Sequence, residues 1–257
     1  MSNTYFQFKQ FTVHQEQTAM KVCTDACLFG AWLANDEKIL EANKILDIGT
    51  GTGLLSLMLA QAVCTNVHKE SGIQITAIEI EPDAAKEAAS NCKASPWSAN
   101  VHVVNISIQL FSKYLLEQRD PKLMFECIIT NPPFFEGDLP SPNTNINLAS
   151  HSTALPWAEL IQEVDTLLKP NGTYFVIVPA IRAYTMQKLA EQKGIQLVEE
   201  VMVYNAAKQK PLRAMQKYIK SSTTGNEIKR SNFIIKDAEH HYTENFIKLL
   251  APYYLHL

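Results

Sequence analysis

Short apolar runs alternate along most of this chain with stretches in which apolar residues recur at helical spacing. The short runs, rich in Ile, Val and Leu, fit buried strands, and the stretches between them fit helices packed against a sheet. This alternation predicts an α/β fold with a seven-stranded, mostly parallel sheet and helices on both faces. The predicted strands are residues 43–49, 73–79, 101–105, 125–130, 173–178, 196–204 and 232–236.

The second half of the chain carries clear helix signals. A helix over residues 157–168 is predicted to stop at a turn that contains Pro170 and Gly172. A further helix is predicted over residues 182–193, and the apolar and aromatic tail 242–257 is predicted to form a helix that covers the core. Because no repeat or low-complexity linker divides the chain, we predict a single domain over residues 1–257, with residues 1–40 as an N-terminal extension.

Aromatic residues alternate with polar ones near the N-terminus, at Phe6, Phe8 and Phe11. This spacing favours a strand that packs on the core over a platform on which nucleic-acid bases stack. An apolar run follows at residues 28–33, and either Thr24 or Asp25 is expected to cap the helix that contains it.

Three glycines, Gly49, Gly51 and Gly53, follow the first predicted strand and precede an apolar helix, with Asp47 near the strand end. Glycine allows a sharp turn and a close approach of the backbone to a ligand at the helix N-terminus. The GxGxG spacing differs from the GxGxxG fingerprint of dinucleotide sites, and it lacks the Gly-Lys-Ser/Thr ending of a P-loop. These differences disfavour an NAD-dependent oxidoreductase and a nucleotide triphosphate site.

An acidic residue, Glu79, ends the second predicted strand. An acid at this place can accept hydrogen bonds from both hydroxyls of a ribose, usually about 20 residues after the glycine turn. The interval from Gly53 is longer here, and the polar stretch 65–72 accounts for the excess as a surface loop. Glu81 competes for the role, but it precedes the helix predicted to begin at Pro82, where an acid stabilises the helix N-terminus.

The sequence Asn131-Pro132-Pro133-Phe134 directly follows the apolar run 125–130. The Asn131 side-chain oxygen and the Pro132 carbonyl can each accept a hydrogen bond from an amino or amide nitrogen, and so stabilise the positive charge that develops as this nitrogen attacks. Phe134 can stack on a planar substrate ring. The alternative interpretation is a strand followed by a proline-rich turn.

Together these motifs resemble the class I AdoMet-dependent methyltransferases, and within them the enzymes that methylate amino or amide nitrogens. The resemblance covers about residues 40–180 and implies a Rossmann-like fold, S-adenosyl-L-methionine as co-substrate and no metal. It implies that Glu79 holds the ribose and that the catalytic residues are Asn131, Pro132 and Phe134. The positions implied to hold the methionine end of AdoMet are Asp47, Gly49, Gly51 and Gly53.

One position departs from this family pattern. Relatives commonly carry an Asp soon after the third strand, where it contacts the adenine of AdoMet, but residues 101–107 contain no acid. The resemblance therefore assigns this contact to Ser107, with Asn105 as the alternative. Either side chain can accept a hydrogen bond, without the charge assistance that a carboxylate provides.

The N-terminal segment is similar to the start of the bacterial tRNA-valine adenine-N6 methyltransferases, from the aromatic residues 6–11 through Thr24-Asp25 to Leu28-Phe29-Gly30-Ala31-Trp32. The resemblance implies methylation of the adenosine just 3′ of the anticodon, position 37, of a valine tRNA. It also implies that residues 1–40 contribute to the active site and that Pro133 and Phe135 contact the substrate. Ser150 stands where relatives carry a basic residue.

The charge distribution bears on a nucleic-acid substrate. The net charge is −3, yet residues 205–236 contain eight basic side chains and the single acid Glu227. Since phosphate binding depends on clustered Lys and Arg, we predict that this segment binds RNA through Lys208, Lys210 and Arg213. A solvated charged face is the alternative.

Composition adds further expectations. No apolar stretch is long enough for a membrane span, and the first residues lack the pattern of a secretion signal, so we expect a cytoplasmic protein. The five cysteines lack the spacing of a zinc site. No obligatory protein partner is inferred.

Several alternatives stay open on the residues alone. The same chemistry serves guanine N2 of ribosomal RNA, adenine N6 of DNA or a glutamine amide of a protein. A non-catalytic module that binds AdoMet or RNA is an alternative of another class, which the missing third-strand acid permits.

Overall fold

The structure is a computed structural model that describes residues 3–65, 72–132, 155–221 and 227–257. Pro133, Phe134, Phe135 and Ser150, to which the sequence analysis gives roles, lie outside these residues.

The described strands are β1 Tyr5–Gln7, β2 Thr12–His14, β3 Lys44–Ile48, β4 Gln74–Glu79, β5 Val101–Asn105, β6 Phe125–Thr130, β7 Leu168–Pro179, β8 Ile195–Ala206, β9 Arg213–Lys220 and β10 Lys229–Lys236. β1 and β2 form an antiparallel pair, and the other eight form one sheet in the order β10-β8-β9-β7-β6-β3-β4-β5. Every pair of neighbours in this sheet is parallel except those that β9 makes with β7 and β8.

Helices cover both faces of this sheet, as predicted. Alternate residues of a strand point to opposite faces, so Ile45 of β3 joins one buried cluster and Leu46 joins the other. The described helices are α1 Thr24–Leu33, α2 Glu37–Glu41, α3 Leu54–Cys64, α4 Pro82–Ala94, α5 Ile108–Gln118, α6 Trp157–Leu167, α7 Ala183–Glu191 and α8 Glu244–Leu250. The first cluster includes residues of α1, α3 and α8, and the second includes residues of α5, α6 and α7.

The predicted fold class is confirmed, but the described sheet has eight strands instead of seven. The strand missing from the prediction is β9, whose basic residues were interpreted as a substrate-binding segment. Ala214, Met215 and Tyr218 of this strand are nevertheless fully buried. The strand signal was weak because Lys217 interrupts the run of apolar positions. In the structure, an ion pair with Asp36 at 2.6 Å neutralises the charge of Lys217.

One strand boundary also differs. Helix α6 ends at Leu167, and β7 begins at once with Leu168, which pairs with Phe125 of β6. The predicted turn at residues 169–172 is instead an irregularity within β7, where the register with β6 shifts. Asn171 takes the left-handed conformation there, with φ of 61°, which asparagine tolerates better than most residues.

The N-terminal aromatic residues pack as predicted. Phe8 and Phe11 are buried and stack at 4.5 Å beside the β1-β2 pair. The predicted cap of α1 was wrong, because the N-cap residue is Cys23 and no side chain caps this helix. Asp25 instead forms an ion pair with Arg213 at 2.9 Å.

The C-terminal tail covers the core as predicted, through the buried Phe246 and Leu250 of α8. Among the described residues, none of the helices combines the length and the apolar character that crossing a membrane requires.

Candidate functional site

The predicted glycine turn lies at the carboxyl end of β3, between this strand and α3. Gly49, Gly51 and Gly53 have φ of 69°, 56° and 83°, a left-handed region that residues with a Cβ avoid. A Cβ added at Gly49 or Gly51 would meet no atom within 4 Å, whereas one at Gly53 would lie 3.2 Å from the Cys92 sulfur. The first two glycines therefore border open space in which a ligand can approach the backbone.

Asp47 is completely buried beneath this turn. Its Oδ2 accepts hydrogen bonds from the Thr50 hydroxyl at 2.6 Å and the Ser56 hydroxyl at 2.7 Å. Its Oδ1 has no hydrogen-bond partner among the described residues. Burial raises the pKa of the Asp47 carboxyl to about 6. A buried carboxylate oxygen without a partner can accept a hydrogen bond from a ligand. The ammonium group of a methionine moiety could donate this bond, either directly or through a bridging water.

Glu79 lies against the same turn. Its Oε2 accepts a hydrogen bond from the Gly51 amide at 2.9 Å, and its Oε1 accepts one from the Glu81 amide at 3.1 Å. The Glu79 carboxylate thus lies at the carboxyl edge of β4 beside the open space, where two ribose hydroxyls can reach it. Glu81 is the exposed N-cap residue of α4, so the structure brings Glu79 and not Glu81 to the glycine turn.

The end of β5 carries the two candidates for the missing acid. The Ser107 hydroxyl oxygen accepts a hydrogen bond from the Leu110 amide at 3.3 Å and so caps α5. The Asn105 side-chain amide donates to the carbonyls of Glu79, at 2.8 Å, and Ile80, at 3.0 Å. Both side chains therefore support the local fold, and a contact of Ser107 with adenine stays a prediction.

Asn131 follows β6 directly, beside the glycine turn. Thr130 and Ile48 are paired in the register of β6 with β3, and the Thr130 hydroxyl donates to the Ile48 carbonyl at 2.9 Å. Asn131 and Gly49 consequently leave the sheet from adjacent strand ends. The Oδ1 of Asn131 is buried without a partner among the described residues, and its Nδ2 lies 4.0 Å from the Met20 sulfur. Pro132 is buried as well.

The N-terminal extension approaches Asn131 through Met20, and a contribution of residues 1–40 to the active site stays a prediction. Two residues that the sequence analysis missed hold this segment, Glu87 and Asn91 of α4. The Glu87 carboxylate accepts hydrogen bonds from Glu16, Gln17 and Thr18. The only sequence signal was their spacing of four residues, which places them on one face of the helix.

Five basic residues in the described part of the segment 205–236 form ion pairs, and its binding of RNA stays a prediction. Each of these basic side chains lies within 3.3 Å of an acidic side chain on another helix or strand, or in another loop. Much of the local excess of positive charge is therefore neutralised. These pairs are Arg213 with Asp25, Lys217 with Asp36, Lys220 with Asp165, Lys229 with Glu199 and Arg230 with Glu200. Lys208 and Lys210 are exposed in the connection between β8 and β9, at the same edge of the sheet as Asn131.

Metal ligands do not cluster in the described part of the chain, in which no group of three or more His, Cys, Asp or Glu side chains could hold an ion.

Comparison with known proteins identifies the family. The model of the methyltransferase small domain family matches residues 30–205. A protein of Cytophaga hutchinsonii named tRNA1(Val) (adenine(37)-N6)-methyltransferase is 37% identical over 257 residues, with all of both chains covered. A protein of the same name from Pseudoalteromonas translucida is 38% identical over 251 residues, covering 97% of this chain and 98% of its own.

Solved structures support the fold. The predicted O-methyltransferase Atu636 of Agrobacterium tumefaciens superposes with a TM-score of 0.63 at 16% identity, covering 88% of this chain and 95% of its own. SMU.776, a structure that contains SAH, gives a TM-score of 0.62 at 13% identity, covering 85% of this chain and 57% of its own. From the family model and the full-length relatives together, the chain belongs to the methyltransferase small domain family and, within it, to the tRNA1(Val) (adenine(37)-N6)-methyltransferases.

Proposed function

We propose that this protein transfers the methyl group of S-adenosyl-L-methionine to N6 of adenine 37 in a valine tRNA. The observation that carries the proposal is the pairing of Ile48 with Thr130. This register places the glycine turn and Asn131 on adjacent strand ends. A methyl donor over the turn would lie beside an amide oxygen that has no partner in the described protein. The names of the full-length relatives support the choice of substrate.

The donor-binding half of the site follows from the glycine turn and two carboxylates. Asp47, with the backbone at Gly49, Gly51 and Gly53, would hold the methionine end, and Glu79 would accept hydrogen bonds from the ribose hydroxyls. Ser107 would contact the adenine, with Asn105 fixing the end of β4. AdoMet supplies an electrophilic methyl group on a sulfonium that is already a good leaving group, so no metal is needed.

The acceptor-binding half centres on Asn131. Its Oδ1 and the Pro132 carbonyl would each accept one hydrogen of the adenine amino group, and so orient the nitrogen lone pair toward the methyl group. The same acceptors would stabilise the positive charge that develops on N6. Phe134 would stack on the extruded base, and Pro133 and Phe135 would line its pocket. The proton leaves N6 to solvent after the transfer.

RNA outside the target base would contact the carboxyl edge of the sheet near β7 and β9. Lys208 and Lys210 are exposed there, next to Leu212, whose carbonyl accepts a hydrogen bond from Ala180 at 3.2 Å. Ile181 is 83% exposed beside this bond. Exposed lysines beside apolar side chains suit an RNA backbone and its unstacked bases. Arg213 also belongs to this surface, but its pair with Asp25 makes it a link between β9 and α1.

The test is methylation of nucleic acids from a strain that lacks the protein. Total tRNA, ribosomal RNA and DNA are incubated with purified enzyme and labelled AdoMet, and the products are digested for nucleoside mass analysis. We expect N6-methyladenosine confined to one tRNA. N2-methylguanosine in ribosomal RNA, or N6-methyladenine in DNA, would overturn the assignment in favour of the corresponding substrate. A tRNA substrate also implies that the enzyme works in the cytoplasm.

A further inference from the structure

We infer that Glu87 and Asn91 of α4 are positioning residues for methyl transfer, because they fix the N-terminal segment that borders Asn131. This inference rests on the proposed function and extends it to residues remote from the transferred methyl group. The segment concerned is residues 14–22, called here the 14–22 loop.

The Glu87 carboxylate holds one side of the 14–22 loop through three consecutive backbone amides. Its Oε1 accepts from Glu16 at 2.6 Å and from Gln17 at 3.1 Å, and its Oε2 accepts from the Thr18 amide and hydroxyl, each at 3.1 Å. These three amides and the hydroxyl all donate hydrogen bonds to the Glu87 carboxylate. Bonds of this kind to an ionised acceptor are about twice as strong as neutral ones, so they hold residues 16–18 firmly on α4.

Asn91 ties the start of the loop to the glycine turn. Its side chain is 1% exposed. Its Oδ1 accepts from the His14 amide at 2.9 Å, while its Nδ2 donates to the carbonyls of His14 and Thr52, each at 2.9 Å. One side chain thus joins β2 to the turn that would carry the methyl donor.

The far end of the loop reaches the other half of the site. The Gln15 side chain accepts a hydrogen bond from the Val22 amide at 2.8 Å and so closes the base of the loop. Between these two residues, Met20 places its sulfur 4.0 Å from Asn131. Helix α4 therefore joins the glycine turn to a loop whose Met20 contacts the Asn131 side chain. A misplacement of about 1 Å between reacting groups can slow a reaction by about 10²-fold.

The decisive variant is Glu87→Gln, which keeps the size of the side chain but turns an amide NH₂ toward backbone donors. We expect kcat, at saturating tRNA and AdoMet, to fall by roughly 10- to 100-fold. The KM for tRNA should change by less than about threefold, because the proposed RNA surface at Lys208 and Lys210 lies on other elements. Hydrogen exchange at the amides of residues 16–18 should accelerate, since their acceptor is weakened.

Glu126→Gln is the matched control. Glu126 also accepts two backbone amides, from Asn43 at 2.5 Å and Lys44 at 3.3 Å, but at the opposite edge of the sheet. Its replacement should lower the melting temperature and leave kcat unchanged. A second variant, Thr18→Val, removes only the hydroxyl contact and should lower kcat by a smaller factor in a stably folded protein.

The outcomes separate the two proposals. Wild-type kcat in Glu87→Gln, or an equal fall in kcat in Glu126→Gln, would overturn the positioning role, and so would unchanged exchange at residues 16–18. If the wild-type enzyme methylates another nucleic acid in place of tRNA, the proposed function fails. The same comparison of kcat values, made on that substrate, then still decides the role of Glu87.

Discussion

Replacing Asn131 by alanine separates catalysis from stability and cofactor binding. The side chain makes no strong hydrogen bond with the described protein, because its Oδ1 has no partner there and its Nδ2 lies 4.0 Å from a weakly accepting sulfur. The free energy of unfolding should therefore change by less than about 1 kcal/mol. If Oδ1 meets the charge that develops on N6, its loss should slow transfer by about 10² to 10³-fold, or about 2.7 to 4 kcal/mol.

The assay is single-turnover methylation of valine tRNA with enzyme in excess and labelled AdoMet, so that product release does not limit the rate. Calorimetry measures AdoMet affinity in parallel. It should stay within about threefold of wild type, since the residues proposed to bind the donor lie on β3 and β4, in the glycine turn and after β5, and not on β6. Asn131→Asp is the informative companion, because it keeps an acceptor oxygen at the Oδ1 position and should retain more activity than the alanine variant. A transfer rate for Asn131→Ala within about threefold of wild type would refute the role of the amide in catalysis.

Three further predictions concern the rest of the site. Glu79→Ala should weaken AdoMet binding by about 1.5 to 3 kcal/mol in calorimetry, as expected for lost bonds to a charged acceptor; unchanged affinity would move the ribose contact to Glu81. Because burial raises the pKa of Asp47 to about 6, the folded state binds this proton more tightly than the unfolded state does. The free energy of unfolding in urea should therefore include a contribution from Asp47 that falls as pH rises from about 4 to about 6. Asp47→Asn should abolish that contribution, and equal pH slopes for the two proteins would contradict the burial argument. Changing Lys208 and Lys210 together to Ala should lower tRNA affinity and reduce its salt dependence while AdoMet affinity is unchanged, whereas a wild-type salt slope would remove both residues from the RNA surface.

Much of the α/β architecture was predictable because its signals are local. The buried strand before Gly49 and the helix that begins at Pro82 are indicated by residues close together in sequence, and the structure contains both as predicted. The preference for Glu79 over Glu81 at the turn also followed from strand alternation and a helix start. By contrast, β9 was missed because its burial depends on its neighbours β7 and β8 in the sheet, and a basic residue inside a strand hides the apolar pattern.

Short-range sequence signals specify the glycine turn, the acid that follows it and the strand that precedes Asn131, since left-handed backbone and buried strands are properties of short segments. Which of these segments meet depends on the tertiary structure. The pairing of Ile48 with Thr130 puts the turn beside Asn131, ion pairs between distant residues neutralise much of the basic segment, and Glu87 holds a loop 69 to 71 residues away in sequence. Contacts of this range depend on how the chain folds as a whole, because hydrogen bonds and ion pairs act over a few ångströms and not along the sequence.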